Sequence, residues 1–366
     1  MEKRVLLYYT GGTIGMVLDD KGDLTPGKPG DFTKEVKRHP ELFEKEEEDG
    51  WIVLPQKATD DCPSQYIVKY LIEEVEKPID SSNMLPEEWN VIAEKILYEA
   101  HKFDGFIVLH GTDTMAYTSS ALSFILPNEF SKPVILSGAQ RTLFEPRSDA
   151  VENILGSLLM AGCYGYHPTI QQVSLFFDNK LFQGNRVTKF DSNSFEAFTS
   201  PKFKPLVEMG VDITVNYTER WCSTICHTPY RPLGNDSDAR LLVLYPGIQE
   251  DFVRSALEHA GGVVLASFGS GNVPSFDWLQ EAVKEASKRE VLFLNCSQVF
   301  KGVVVPIYDV SSWLTEAGVV SGRDITPEAA LTKMIWVLQE DLSYTERKEL
   351  LERSIRGEMT EMIDPK

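Results

Sequence analysis

Two threonines in this chain stand where a hydroxyl can be made into a nucleophile. Thr13 closes on the glycine pair in Thr10-Gly11-Gly12-Thr13-Ile14-Gly15, and Thr112 lies in Gly111-Thr112-Asp113-Thr114. A threonine hydroxyl attacks poorly until a base takes its proton. The familiar arrangements are missing: there is no Gly-x-Ser-x-Gly elbow, and none of the six histidines has a triad context. His110 ends an apolar run and reads as a buried, hydrogen-bonded side chain rather than a catalytic one. Asp113, next to Thr112, and Lys189 remain as partners. A lysine desolvated beside an aspartate hands protons along a relay of hydroxyls. Each residue also has a plain structural use. Thr13 can cap a turn, Asp113 can cap the helix beginning near Thr114, and Lys189 can be an exposed stem.

Each threonine must be held by the element before it. Val5-Leu6-Leu7-Tyr8-Tyr9 runs directly into the glycines at 11 and 12, and Phe106-Ile107-Val108-Leu109-His110 runs into Gly111. Short continuous apolar runs of this kind are buried parallel strands. Open α/β sheets bind ligands just beyond the carboxyl ends of such strands. Glycine there permits positive φ and lets a ligand approach the backbone. Two strand ends, each with a glycine and a threonine, predict one shared cleft. Backbone N–H groups near Thr13, or near Ala139 after Ser137-Gly138, are the candidate donors to an oxyanion.

The rest of the chain alternates. Helical spacing runs from Pro86 to His101, from Thr114 to a stop at Pro127, and from Ser148 to Ala161, with strands at 134–136 and 173–177. Such alternation predicts βαβ units and a mostly parallel sheet with flanking helices over residues 1–215. Residues 216–238 break the pattern and read as a linker. They contain Cys222-x3-Cys226-His227, which has no second Cys/His pair nearby and is not read as a zinc site. Alternation resumes in 239–366, a smaller C-terminal α/β domain with strands at 241–245, 263–268 and 291–295 and helices at 251–259, 275–288, 326–339 and 343–353. The glycine- and proline-rich stretch 19–30 reads either as a lid over Thr13 or as a surface hairpin, and the acidic run 44–49 as a solvated helix end.

Composition narrows the partners. With 36 basic and 55 acidic residues the formal charge is −19, which disfavours nucleic acid and anionic membranes as partners. No apolar run approaches the roughly 20 residues of a membrane helix. The five cysteines, Cys62, Cys163, Cys222, Cys226 and Cys296, are scattered and odd in number, as expected of reduced thiols in a cytoplasmic protein. The five apolar residues before the glycine turn are too few for a secretory h-region. Phosphate-binding motifs are also absent: Gly27-Lys28 is followed by Pro29, and Gly269-x-Gly271 runs into Pro274. No cofactor and no metal is expected.

The two threonine motifs together, with Asp80-Ser81-Ser82-Asn83-Met84, Gly184-Asn185-Arg186-Val187-Thr188-Lys189, Phe268-Gly269-Ser270-Gly271-Asn272 and Arg356-Gly357-Glu358-Met359-Thr360, make the chain resemble the L-asparaginase family, in its cytosolic type I branch, nearly end to end. The resemblance implies a two-domain asparaginase-like fold and hydrolysis of L-asparagine to L-aspartate and ammonia. In that scheme Thr13 attacks the side-chain amide, and Thr112, Asp113 and Lys189 form the proton relay. Asp80, Ser81 and Ser82 match the family's clamp on the substrate's ammonium and carboxylate. Asn272 matches an asparagine that reaches the neighbouring subunit's pocket. It further implies a homodimer or dimer of dimers, and Arg254 matches an arginine of an allosteric asparagine site. Valine at 299, where a cysteine is usual, departs from that site.

A second departure concerns the stretch after Thr13. Many asparaginases carry a tyrosine there, whereas Gly22-Asp23-Leu24-Thr25-Pro26 has none. Tyr308, after Val303-Val304-Val305-Pro306-Ile307, aligns with a tyrosine of animal-type relatives and is the expected phenolic donor to Thr13. Two other functions stay open: an amidohydrolase that prefers glutamine or another amide, and a catalytically silent amino-acid sensor. The intact set of Thr13, Thr112, Asp113 and Lys189 speaks against the sensor.

Overall fold

A computed structural model of the chain describes residues 1–59, 66–216, 230–234, 237–305 and 312–361. The chain separates into one unit of residues 1–123 and 128–220 and a second of residues 124–127 and 221–366. In the first, β1 (Glu2–Gly11) is apolar on both faces, with Val5, Leu6 and Leu7 fully buried. A strand of that kind must lie inside a sheet covered on both sides. The hairpin β2 (Met16–Leu18) and β3 (Leu24–Pro26) follows, so the stretch after Thr13 begins as a surface hairpin. Then come α1 (Asp31–Val36), β4 (Lys45–Glu46), β5 (Ile52–Val53) and β6 (Ile67–Ile79).

The acidic run at 44–49 is therefore not a helix end. Lys45 and Glu46 pair with Val53 and Ile52 at the edge of the sheet, and Glu48–Gly50 make the 3₁₀ turn between them. Buried Ile52 and Val53 decide this, because they need a strand on the sheet and draw their charged partner with them.

The unit continues through α2 (Pro86–Glu99), β7 (Gly105–Leu109), α3 (Met115–Ile125, as far as Ser123), β8 (Val134–Ser137), α4 (Ala150–Gly162) and β9 (Val173–Phe177). It ends with β10 (Lys180–Gln183), β11 (Thr188–Lys189), β12 (Phe198–Thr199), β13 (Val207–Met209) and β14 (Ile213–Val215). Ten strands form one sheet in the order β14-β13-β10-β9-β8-β7-β1-β6-β5-β4. Its middle, β9-β8-β7-β1-β6, is parallel and both wings are antiparallel. α4 lies so close to the sheet that a Cβ on Gly156 would fall 2.1 Å from the Phe176 ring. Glycine there lets helix and strand touch.

The second unit is a four-stranded parallel sheet, β15 (Ala239–Val243), β16 (Gly262–Ser267), β17 (Leu292–Ser297) and β18 (Val320–Ser321), in that order. Its helices are α5 (Glu250–Leu257), α6 (Asp277–Lys288), α7 (Ser312–Glu316), α8 (Pro327–Gln339) and α9 (Tyr344–Glu352). Thr326 caps α8 by accepting from Ala329 N, and Ser343 with Glu346 forms a capping box on α9. A fully buried ion pair, Lys333 Nζ to Glu358 Oε1 at 2.8 Å, fastens α8 to the stretch after α9.

One expectation about the thiols is overturned: Cys163 is disulfide-bonded. Cys296 is buried and takes no part in a disulfide. Among the described residues no helix is long and apolar enough to cross a membrane, and no group of three His, Cys, Asp or Glu side chains is placed to hold a metal. Cys222, Cys226 and His227 lie outside the described residues.

Candidate active site

Three parallel strand ends meet through glycine. A Cβ on Gly12, at the end of β1, would lie 2.4 Å from Gly111 Cα, and one on Gly11 would lie 2.2 Å from the Ile79 carbonyl oxygen. A Cβ on Gly111 would meet Ser81 Oγ at 2.5 Å. So β1, β6 and β7 deliver the turns carrying Thr13, Asp80-Ser81-Ser82 and Thr112-Asp113 into backbone contact, and any side chain at the glycines would push them apart. The chain after β8 joins them. Leu143 N donates to Ile14 O (3.0 Å), and Thr142 Oγ1 donates to Met16 O.

Thr13 opens a single 3₁₀ turn, Thr13–Gly15, reached through Gly12 at φ 86°. It is half-buried. Thr112 is buried, and its hydroxyl oxygen accepts a hydrogen bond from Lys189 Nζ at 2.8 Å. The same ammonium donates to Asp113 Oδ1 at 2.7 Å. Only 17% of the Lys189 side chain is exposed, against 66% for Asp113, so the lysine is largely withdrawn from water while its carboxylate partner faces it. Lys189 is aimed by the short β11–β12 ribbon, in which it pairs with Phe198.

Gln140 is a member of this group that the sequence did not reveal. Its Oε1 accepts from Thr112 Oγ1 at 3.4 Å, and its Nε2 donates to Ser194 O at 3.0 Å. Its backbone N–H, with that of Arg141, donates to Asp149, whose carboxyl is pushed up by burial against the hydrogen bonds that hold it down. No motif spacing announces Gln140, because it reaches Thr112 only after β8 has been laid beside β7. Ala139, directly before it, is buried.

Asp80 accepts from Ser82 N at 3.0 Å, capping the turn Ser81–Asn83, and Thr114 Oγ1 donates to Ser81 O at 2.7 Å. Asp80 and Ser82 are exposed and Ser81 is buried. His110 is fully enclosed. Its Nδ1 lies 2.7 Å from Gly111 O and its Nε2 3.0 Å from Thr118 Oγ1, which also accepts from Trp89 Nε1. Burial lowers its pKa to about 4, so it is a neutral strut beneath the Gly111 turn.

Thr13, Asp80, Ser81, Ser82, Thr112, Asp113, Ala139 and Lys189 thus belong to the first unit, while Asn272 and Arg254 belong to the second. Arg254 is held by carboxylates of its own helix and of α6: Glu250 at 2.8 Å, Glu285 at 2.8 Å and Glu281 at 3.6 Å. Tyr308 lies outside the described residues.

A parallel sheet with hydroxyl, lysine and carboxylate gathered at its carboxyl ends defines an α/β protein with a threonine-centred site. The chain belongs to the asparaginase family: residues 4–221 match "Asparaginase, N-terminal" and residues 239–351 match "Glutaminase/Asparaginase C-terminal domain". It is 36% identical to L-asparaginase 1 of Escherichia coli K12, covering 98% of each chain. It superposes on the crystal structure of L-asparaginase I from Vibrio cholerae with a TM-score of 0.82, at 36% identity over 98% of this chain and 100% of that one. It is also 41% identical to a mouse protein named 60 kDa lysophospholipase, over 98% of this chain and 63% of that protein. The chain therefore spans about three fifths of that relative's length. The fold is the two-domain asparaginase fold, a large mixed sheet with helices and a small unit with a parallel four-stranded sheet.

Proposed function

We propose that this protein hydrolyses L-asparagine to L-aspartate and ammonia through an acyl-threonine intermediate. The observation that carries the reading is the lysine at 2.8 Å from Thr112 Oγ1 and 2.7 Å from Asp113 Oδ1, at a strand end in backbone contact with the Thr13 turn. In the first step Thr13 Oγ bonds to the side-chain amide carbon, the C–N bond breaks, and ammonia leaves with a proton supplied through the hydroxyls. In the second, a water near Thr112 attacks the ester, its proton passes to the Thr112–Lys189–Asp113 group, and aspartate leaves as Thr13 regains its hydrogen. Backbone N–H groups at Thr13 or Ala139 stabilise the oxyanion. Asp80, Ser81 and Ser82 hold the substrate's ammonium and carboxylate.

The working form is a homodimer or dimer of dimers in which Asn272 completes a neighbour's pocket. Tyr308 supplies a phenolic donor to Thr13, so Tyr308→Phe lowers kcat strongly while Asp23→Ala changes little. Arg254 belongs to an allosteric site, against which its three glutamate contacts argue for a purely structural use. A cytoplasmic location belongs to the reading as well, with the disulfide at Cys163 as the observation that tells against it.

Ester hydrolysis of a lysophospholipid is the second reading, favoured by the 41% identity to the mouse protein of that name. Ammonia release from asparagine and from glutamine, beside fatty-acid release from a lysophospholipid, decides. Asparagine turnover well above the other two is expected. Fatty-acid release without ammonia overturns the proposal, and no turnover with tight asparagine binding makes the protein a sensor.

A further inference from the structure

The turn that carries Asn272 is gripped from behind. After β16 the chain reverses through Phe268–Asn272, where Phe268 N donates to Asn272 O at 3.0 Å and Asn272 N to Phe268 O at 2.8 Å. Gly269 and Gly271 take φ of 52° and 103°. All three carbonyls between the ends are captured. Ser297 Oγ donates to Gly269 O at 2.6 Å, Val305 N to Ser270 O at 3.0 Å, and Asn295 Nδ2 to Gly271 O at 3.0 Å. Asn295 and Ser297 are alternate residues of β17, so both leave the same face of the sheet. With the backbone committed, the half-buried Asn272 amide has no partner among the described residues and is left for something else.

Asn295 is a poor choice for stability. It is 3% exposed and its Oδ1 has no hydrogen-bond partner among the described residues. A buried amide oxygen left unpaired destabilises a fold, and an apolar side chain of similar size suits such a place better. What Asn295 provides that leucine cannot is the Nδ2–H on Gly271 O.

We propose that Asn295 and Ser297 are positioning residues. They hold the Phe268–Asn272 turn in one shape, so that the Asn272 amide is presented already ordered to the polar head of the amino-acid substrate. The proposal rests on the amidohydrolase reading above. Its advantage is that of preorganisation, since an ordered turn loses no freedom when substrate arrives.

The test compares Asn295→Leu, Ser297→Ala, Asn272→Ala and the double variant Asn272→Ala/Asn295→Leu, measuring kcat and KM for asparagine, Tm, and hydrogen exchange of the 268–272 amides. Loss of one ordering hydrogen bond should raise KM about ten-fold in Asn295→Leu. Its Tm should be unchanged or higher, and exchange at Gly271 and Asn272 should speed up. Ser297→Ala, the milder change, should move KM in the same direction should Asn295→Leu fail to fold. In the Asn272→Ala background Asn295→Leu should have no further effect on KM, because the group being positioned is gone. Unchanged KM, additive losses in the double variant, or unchanged exchange of the turn overturns the proposal. A wild-type protein inactive on asparagine overturns the functional reading instead, and the exchange measurement still decides whether Asn295 orders the turn.

Discussion

At the scale of single residues, Thr13 and Thr112 stand in different surroundings, and the difference is testable. Thr112 is buried with Lys189 and Gln140 on its hydroxyl, while Thr13 is half-buried on a turn of its own. Thr→Val keeps the size of either side chain. Thr13→Val and Thr112→Val should each cut ammonia release from asparagine by orders of magnitude while melting near the wild type. Substantial turnover by Thr13→Val would remove it as the nucleophile. His110 gives a different kind of prediction. Its pKa falls from an ordinary 6.5 to about 4 through burial. The unfolded chain therefore takes up a proton on this ring before the folded one does. The stability His110 contributes is complete above pH 6.5 and is lost as the pH falls towards 4, by about 3 kcal/mol at most. Urea denaturation at pH 7 and pH 4.5 should show a steeper loss for wild type than for His110→Gln, and parallel losses would refute the assignment.

The elements make their own demands. Gly12 and Gly22 have nearly the same φ, 86° and 87°, but different room. A Cβ on Gly12 meets Gly111 backbone at 2.4 Å, whereas one on Gly22, at the β2–β3 hairpin, meets nothing within 4 Å among the described residues. Gly22→Ala should cost only the conformational strain, about 1 kcal/mol, and keep activity. Gly12→Ala adds a backbone clash between β1 and β7, so it should cost roughly 3 kcal/mol or more and abolish turnover. Equal Tm shifts in the two variants would contradict the strand-end contact. In the second unit, Glu358 is held ionised despite its burial by Lys333 and by the N–H groups of Ile355 and Arg356. Lys333→Met strands that carboxylate and should destabilise by about 3–5 kcal/mol, with Lys333→Met/Glu358→Gln recovering part of the loss in a denaturation series.

For the whole molecule the decisive question is whether one chain suffices. The first unit holds Thr13, Thr112, Asp113 and Lys189, and Asn272 sits on the other. If activity needs an assembly, Asn272→Ala should raise KM more than it lowers Tm, and specific activity should fall when dilution dissociates the enzyme. A fully active monomer, seen by sedimentation at assay concentration, would end the idea. With a formal charge of −19, association should strengthen with added salt as like charges are screened.

The sequence alone determined the strands that end at Thr13 and Thr112, because five consecutive apolar residues stopping at glycine admit few other structures. It also located α2, α3, α4, α6 and α8 to within a few residues, since helical periodicity is a local signal, as are the proline or threonine starts of α2, α3 and α8. It missed β6, whose run from Ile67 to Ile79 carries Lys69, Glu73, Glu74, Glu76 and Lys77 among its apolar residues and lacks a clean period. That strand forms only because β1 offers it a parallel partner over most of its length. The same reason explains the place of Gln140 beside Thr112, where the deciding partner is again distant in the chain. Local pattern fixes what a segment can be. Which hydroxyl a lysine or a glutamine finds is decided by strand order, and strand order exists only once the sheet is assembled.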